Sequence, residues 1–462
     1  MIECSRMRRP LSLMEVRLRY GLVLAFLVLF TAQAGSAGAD DRLAAKHGLS
    51  GSRIAYLLVD ADSGDVLESL DPDRAMMPAS TIKLLTALAA LETLGNEHRL
   101  ETRLWIDGEL DGGRLVGDLI VEGGGDVELD MDDLLELALG LRAAGIRAVE
   151  GRFLLADDAF LRLPEVNGNQ PVDATYNAGV GPLALAFSRV SMRPDGIGNY
   201  TGLPPLLERG PAWSIVTSAR PKKPRAIPVR DAGMHAARNL ASLIRRLGID
   251  IADPERGVRP DHARLLRAVR SKPVEELVED MLLYSNNQLA ETLGLVTSAK
   301  LGLRAESLDR SAAFVANVMK SRVDADWSGL ELQNHSGLSP KTRASAAQLA
   351  AILRYGLERH GLPELLPASA WSGSLERRLV EDGTALRVWA KTGSLDFASA
   401  LAGYLLADGG LRIFVIMTAE EARRRAYDAM DVPTVAIRKE ADDWEVRARQ
   451  YQDELVRSWI AD

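Results

Sequence analysis

Residues 78–91 read PASTIKLLTALAAL. A proline and a small residue lead into Ser80, Lys83 follows three places on, and from Leu84 the run is almost wholly apolar. Alanine and leucine at this density form helix readily, and a helix that is apolar all round is a buried one. The lysine is the anomaly, because a buried ammonium is costly unless it is paired or gives up its proton. Two readings stand open here. Ser80 is a helix cap and Lys83 a side chain whose tip reaches water. Alternatively the two, three residues apart on one helical face, are a nucleophile and the base that takes its proton.

The chain around this stretch has 462 residues, enough for two or three domains. The first 39 carry five arginines, then the apolar run YGLVLAFLVLFT (20–31), then small residues with Ala-x-Ala patterns at 32–34 and 37–39. That order is the pattern of a secretory signal peptide, too short for a comfortable membrane span, so an exported protein of the periplasm or cell envelope, with no stable transmembrane anchor, is expected. Removing five arginines and two glutamates takes away +3 and turns a net charge of −8 into −11. Such acidity argues against nucleic acid as a partner. The single cysteine, Cys4, leaves with the signal, so neither thiol chemistry nor disulfides are expected. Six scattered histidines show no metal-ligand spacing, and neither metal nor cofactor is expected.

Ile54–Asp60 and Val66–Leu70, joined by Asp62-Ser63-Gly64, read as a hairpin. Far downstream, residues 386–390, 399–406 and 411–417 read as three more strands, and Trp444, Ala448, Tyr451, Leu455 and Trp459 form the stripe of a terminal helix. Between these ends, from about residue 100 to 253, short apolar stretches alternate with Gly-rich turns such as Gly123-Gly124-Gly125, a texture of short strands with a few helices, for example 131–145. Asp126 reads as a turn former rather than a ligand, and RPKKPR (220–225) as a solvated loop. From Pro254 to Gly361 helical periodicity returns.

Two further short motifs follow the first in chain order: Ser285-Asn286-Asn287, opening an apolar helical run, and Lys391-Thr392-Gly393, ending the strand LRVWA. The trio resembles the serine penicillin-binding and penicillin-recognising enzymes, with their Ser-x-x-Lys, Ser-x-Asn and Lys-Thr-Gly. The 202-residue step from Lys83 to Ser285 is similar to the class C type-4 D-alanyl-D-alanine carboxypeptidases/endopeptidases, peptidase family S13, which insert a domain there. Stretches such as VEGGGDVELDMDDL, TYNAGVGPLAL, SNNQLAETLG, HSGLS and AKTGSLDFASALAGYL extend the resemblance over the whole mature chain.

The resemblance implies an α+β multidomain protein. Its catalytic domain (40–99 and 254–462) would be β-lactamase/transpeptidase-like, a five-stranded antiparallel sheet flanked by helices, with a mostly β insert at 100–253. It implies Ser80 as nucleophile, Lys83 as general base, Ser285 as proton relay, and Asn287 as a partner of substrate or Lys83. Lys391 and Thr392 would hold the terminal carboxylate of a peptidoglycan stem peptide. Gly393 would let substrate backbone approach the strand, and the N–H groups of Ser80 and Ser394 would form the oxyanion hole. β-Lactam antibiotics are the implied inhibitors. The sequence departs from the usual family pattern at Asn286, commonly Asp, and at Asn334-His335, where Asp-Gly often stands. Two other functions fit the same residues: a β-lactamase or D-amino-acid esterase, and a catalytically silent wall-binding protein.

Overall fold

The computed structural model describes residues 41–430 and 433–461; the expected signal peptide lies outside them. Residues 41–52 belong to a small unit of their own, helical at 41–46, and the main body begins at Arg53. Its first sheet runs, in spatial order, Val388–Leu395, Ala398–Ala407, Gly410–Ala419, Arg53–Asp60 and Val66–Leu70. Every neighbouring pair is antiparallel, so the two ends of the chain close one sheet as expected. The hairpin between the first two strands turns because the Asp60 carboxylate accepts the N–H groups of Asp62 and Ser63, at 3.0 and 2.8 Å.

Helices cover both faces. The C-terminal helix Val435–Ala461 lays the stripe of Trp444, Ala448, Tyr451, Leu455 and Trp459 on the strand Ala398–Ala407. On the other side, helix Lys83–Leu94 is buried from Lys83 to Leu91. It packs among helices Val274–Leu283, Asn287–Lys300, Leu308–Lys320 and Ala346–His360. Burying Leu84, Leu85 and Leu88 there is worth about 2 kcal/mol each. The helix stops at Gly95, whose φ of 87° an L-residue rarely adopts.

A second sheet with its own apolar core is built from Arg99–Asp111, Arg114–Gly123, Phe153–Ala156, Pro254–Arg256 and Arg264–Pro273, with Ala148–Val149 pairing beside Arg114–Gly123. Helices Met131–Ala143 and Ala232–Arg246 supply the other half of that core. A third, three-stranded sheet holds Arg189–Pro194, Tyr200–Leu203 and Arg225–Pro228. The expected return of helix at Pro254 is therefore not met: 264–273 pairs with 99–106 as an edge strand, and helix resumes only at Val274. The alternation in RLLRAVRSKP is blurred because an edge strand with one wet face tolerates leucine on either side. Asp126 is the turn former expected, its Oδ1 accepting the Glu128 N–H at 2.9 Å, and residues 222–225 of the RPKKPR loop are exposed.

Candidate active site

Ser80 is not a helix cap. It lies inside a 3₁₀ turn, Ala79–Ile82, that runs directly into helix Lys83–Leu94, and no side chain caps either start. Ala79, just before it, has a φ of 46°, the strained backbone that often marks a working site. Two glycines lie close against this turn. A Cβ on Gly337 would come within 2.0 Å of the Ala79 carbonyl, and one on Gly393 within 2.6 Å of the Pro78 carbonyl and 3.1 Å of the Ser80 nitrogen. In this structure Gly393 thus admits the Ser80 turn to the strand, where the family pattern suggested substrate backbone. Nor does the Lys-Thr-Gly motif end its strand. Pairing continues through Ser394 with Ser399 and Leu395 with Ala398, because glycine in a strand marks close backbone approach as often as a stop.

The tip of the lysine does not reach water. Lys83 is fully buried, and its Nζ lies 2.7 Å from Ser80 Oγ, 2.8 Å from Asn287 Oδ1 and 2.8 Å from the Ser336 carbonyl. Asn287 is oriented by donating its Nδ2 to the Tyr176 carbonyl at 2.9 Å, which leaves Oδ1 facing the amine. Burial pulls the Lys83 pKa down to about 7, while the charge of Glu291 pulls it up. A neutral amine has two hydrogens and one lone pair. Asn287 Oδ1 and the Ser336 carbonyl only accept, so they take both hydrogens and leave the lone pair for the Ser80 hydroxyl. That is the arrangement of an activated nucleophile.

Lys391 is also fully buried, and its Nζ donates to the Thr392 carbonyl at 2.8 Å. Burial, and after it the charge of Lys83, hold its pKa well below the ordinary value. Thr392 is half-buried beside it, and Ser394 is exposed, its Oγ accepting from Arg449 at 3.4 Å. Ser285 is half-buried at the start of helix Asn287–Lys300 with a φ of 54°, again the strained left-handed region. Asn286, not Ser285, caps that helix, accepting the Leu289 N–H at 3.2 Å. The hydrogen bonds that gather Ser80, Lys83 and Asn287 do not include Ser285.

The sequence reading singled out Asn334-His335 as a departure from the family pattern, but missed Glu291 and the contact of the 334–338 turn with Lys83. The Glu291 carboxylate, fully buried, accepts the N–H of His335 at 3.0 Å and of Ser336 at 2.9 Å. Burial raises its pKa, against the hydrogen bonds from Ser336 and His335 and the charge of Lys83. A signal was available: a glutamate inside the apolar helical run NQLAETLG, four residues from Asn287 and so on the same face, is the same anomaly as Lys83.

A serine hydrogen-bonded to a buried, near-neutral lysine, beside the edge strand of an antiparallel sheet, defines a serine acyl-transfer enzyme. The chain belongs to the D-Ala-D-Ala carboxypeptidase 3 (S13) family, whose model matches residues 37–198 and 214–436. It is 24% identical over 412 residues to the D-alanyl-D-alanine carboxypeptidase DacB of Haemophilus influenzae, covering 79% of this chain and 84% of that one. It is 28% identical over 429 residues to the D-alanyl-D-alanine carboxypeptidase of an Actinomadura species, covering 80% and 78%. The fold matches the crystal structure of penicillin-binding protein 4 from Haemophilus influenzae with a TM-score of 0.75 at 20% identity, over 92% of this chain and 99% of that one. The latter protein has also been solved in complex with a β-lactam. Among the described residues no helix is long and apolar enough to cross a membrane.

Proposed function

We propose that this chain is an exported serine D-Ala-D-Ala carboxypeptidase of peptidoglycan that also cleaves D-centred cross-links as an endopeptidase. The observation that carries it is the Lys83 amine, 2.7 Å from Ser80 Oγ, whose two hydrogens in the neutral form are taken by Asn287 Oδ1 and the Ser336 carbonyl. Ser80 Oγ attacks the carbonyl of the D-Ala–D-Ala peptide, and its proton passes to Lys83. The C–N bond breaks, and the departing amine takes a proton through Ser285. The ester on Ser80 is then hydrolysed by water. The N–H groups of Ser80 and Ser394 receive the developing oxyanion, a role supported by the close seat of the Ser80 turn on Gly393. Lys391 and Thr392 hold the terminal carboxylate. A β-lactam follows the same first step, but its opened ring stays attached. We place the insert at 99–273 rather than at the expected 100–253, because the strand Arg264–Pro273 pairs with Arg99–Asp111. The reading of export rests on the basic and apolar order of residues 1–39.

Labelling with a fluorescent penicillin tests this directly. Wild type is expected to take one label per chain and Ser80→Ala none; equal labelling of the two sinks the assignment. Digestion of muropeptides then reads out D-alanine release against cross-link cleavage. Rapid turnover of the penicillin with no D-alanine release would mark a β-lactamase instead.

A further inference from the structure

We propose that Glu291 is a positioning residue for the Ser80–Lys83 pair, its carboxylate holding two consecutive backbone N–H groups so that the Ser336 carbonyl points at the lysine. The inference rests on the reading of Lys83 as the base for Ser80.

The geometry is specific. One carboxylate oxygen takes the His335 N–H and the other takes the Ser336 N–H, a fork that only an ionised carboxylate offers without a donor of its own. The peptide of His335 is held from its other side as well. Thr86, from the Ser80 helix, donates its hydroxyl to the His335 carbonyl at 2.9 Å, and Asn334 Oδ1 accepts the Gly337 N–H at 3.0 Å. With both flanks fixed, the Ser336 carbonyl is left one direction, toward Lys83 Nζ at 2.8 Å. A carbonyl so fixed consumes one lysine hydrogen and so decides where the lone pair points.

His335 anchors the same turn through its ring. The ring lies over Gly294, where a Cβ would come within 2.2 Å of it. Its Nε2 is 2.8 Å from Ser311 Oγ, which donates to Ser298 Oγ at 2.8 Å, which donates to the Leu295 carbonyl at 2.9 Å. Each hydroxyl spends its one hydrogen down the chain, so the hydrogen between His335 and Ser311 belongs to the imidazole. Burial holds the ring pKa at about 3 and keeps it neutral. The titratable groups facing Lys83 are therefore Glu291 from helix Asn287–Lys300 and Lys391 from the edge strand, whose own pKa burial lowers, while His335 and Ser336 of the turn, and Ser80 and Thr86 of its own segment, add no charge. Among the described residues Glu291 is the one acid whose charge acts on Lys83.

Two consequences separate this role from simple support of the fold. Removing the charge but not the shape, by Glu291→Gln, takes away the group that opposes desolvation at Lys83. The pH at half-maximal acylation by a fluorescent penicillin then falls by about one unit. The same variant offers one acceptor where two were needed, the turn relaxes, and the plateau rate drops up to about a hundredfold, the scale of a misplacement of order 1 Å. Glu291→Asp keeps the charge but withdraws it by about 1.5 Å, one C–C bond. It leaves the midpoint in place and lowers only the plateau. The experiment is the second-order acylation rate of the full chain across about pH 5 to 10 for wild type and both variants, with circular dichroism to certify folding. A folded Glu291→Gln protein with the wild-type midpoint overturns the proposal. If that variant does not fold, Glu291→Asp decides: a wild-type plateau overturns it, and a lowered plateau with unmoved midpoint supports it. Lys83→Ala in the same assay tests the underlying reading separately, because normal acylation there would remove the base and leave nothing for Glu291 to position.

Discussion

Two regions of this molecule bury a lysine completely, and they treat it differently. Around Lys83, three oxygens from three distant parts of the chain converge on the amine, and a buried carboxylate stands behind one of them. Around Lys391, the amine donates to the carbonyl of the next residue, and the charge that acts on it most is the like charge of Lys83. The first setting specifies where each hydrogen goes, which is what proton transfer needs. The second leaves an amine with one fixed acceptor and a pKa held down by burial, a setting that fits the proposed hold on a carboxylate arriving with the substrate, whose opposite charge would favour the protonated amine. On the proposed mechanism one lysine is placed for its lone pair and the other for a carboxylate that the substrate brings.

The comparison breaks most visibly if Lys83 is dispensable. Lys83→Ala is expected to lower single-turnover acylation by roughly 10²- to 10⁴-fold, the range of a general base, and a loss under tenfold would deny it that role. Lys391→Ala is expected to cost about a hundredfold, the scale of a lost transition-state donor. Its signature is selective: against a peptide whose terminal carboxylate is amidated, wild type and variant should converge. If the variant is equally impaired on both substrates, Lys391 acts on the chemistry and the division between the two lysines fails.

The pH profile sharpens the division with a smaller effect. On the proposed mechanism acylation requires neutral Lys83, whose pKa burial lowers to about 7. Below that pH the amine is protonated, has no lone pair, and the rate should fall about tenfold per unit as pH drops. Above it the rate should level. Stopped-flow acylation across the range checks this, and a limb that rises only near pH 10 would mean that desolvation has not done its part.

The parts of this design that were legible in the sequence are those that rest on side-chain identity. The grouping of Ser80, Lys83 and Asn287 was readable because a charge in an apolar helix and motifs in order are visible in letters, as were the five strands of the first sheet. The turn that receives Lys83 was not readable, because it acts through the N–H groups of His335 and Ser336 and the Ser336 carbonyl. Every residue carries those groups, so no letter announces them. The strand through Lys391 was cut short for a related reason. Gly393 reads as punctuation, yet its purpose is the space it leaves for Pro78 and Ser80, more than 300 positions away.

Gly294 gives the last and smallest test of the same contrast, because local and tertiary physics predict opposite signs there. Glycine inside a helix costs about 1 kcal/mol relative to alanine, so Gly294→Ala would stabilise an isolated helix Asn287–Lys300. In the folded protein the added methyl meets the His335 ring at 2.2 Å, and that ring is buried and hydrogen-bonded to Ser311. Overpacking of this kind costs about 1–3 kcal/mol, so the net expectation in urea unfolding is a loss of stability. The loss should be accompanied by slower acylation, since the displaced ring carries the Ser336 carbonyl with it. Removing the ring restores the helical preference: in a double-mutant cycle with His335→Gly, the alanine should become neutral or stabilising, a coupling that contact between the two positions requires. Additive effects would mean that His335 does not sit on Gly294, and the anchoring of the Lys83 acceptor would lose its footing, whereas Lys391, with no such turn behind it, should be untouched by the whole cycle.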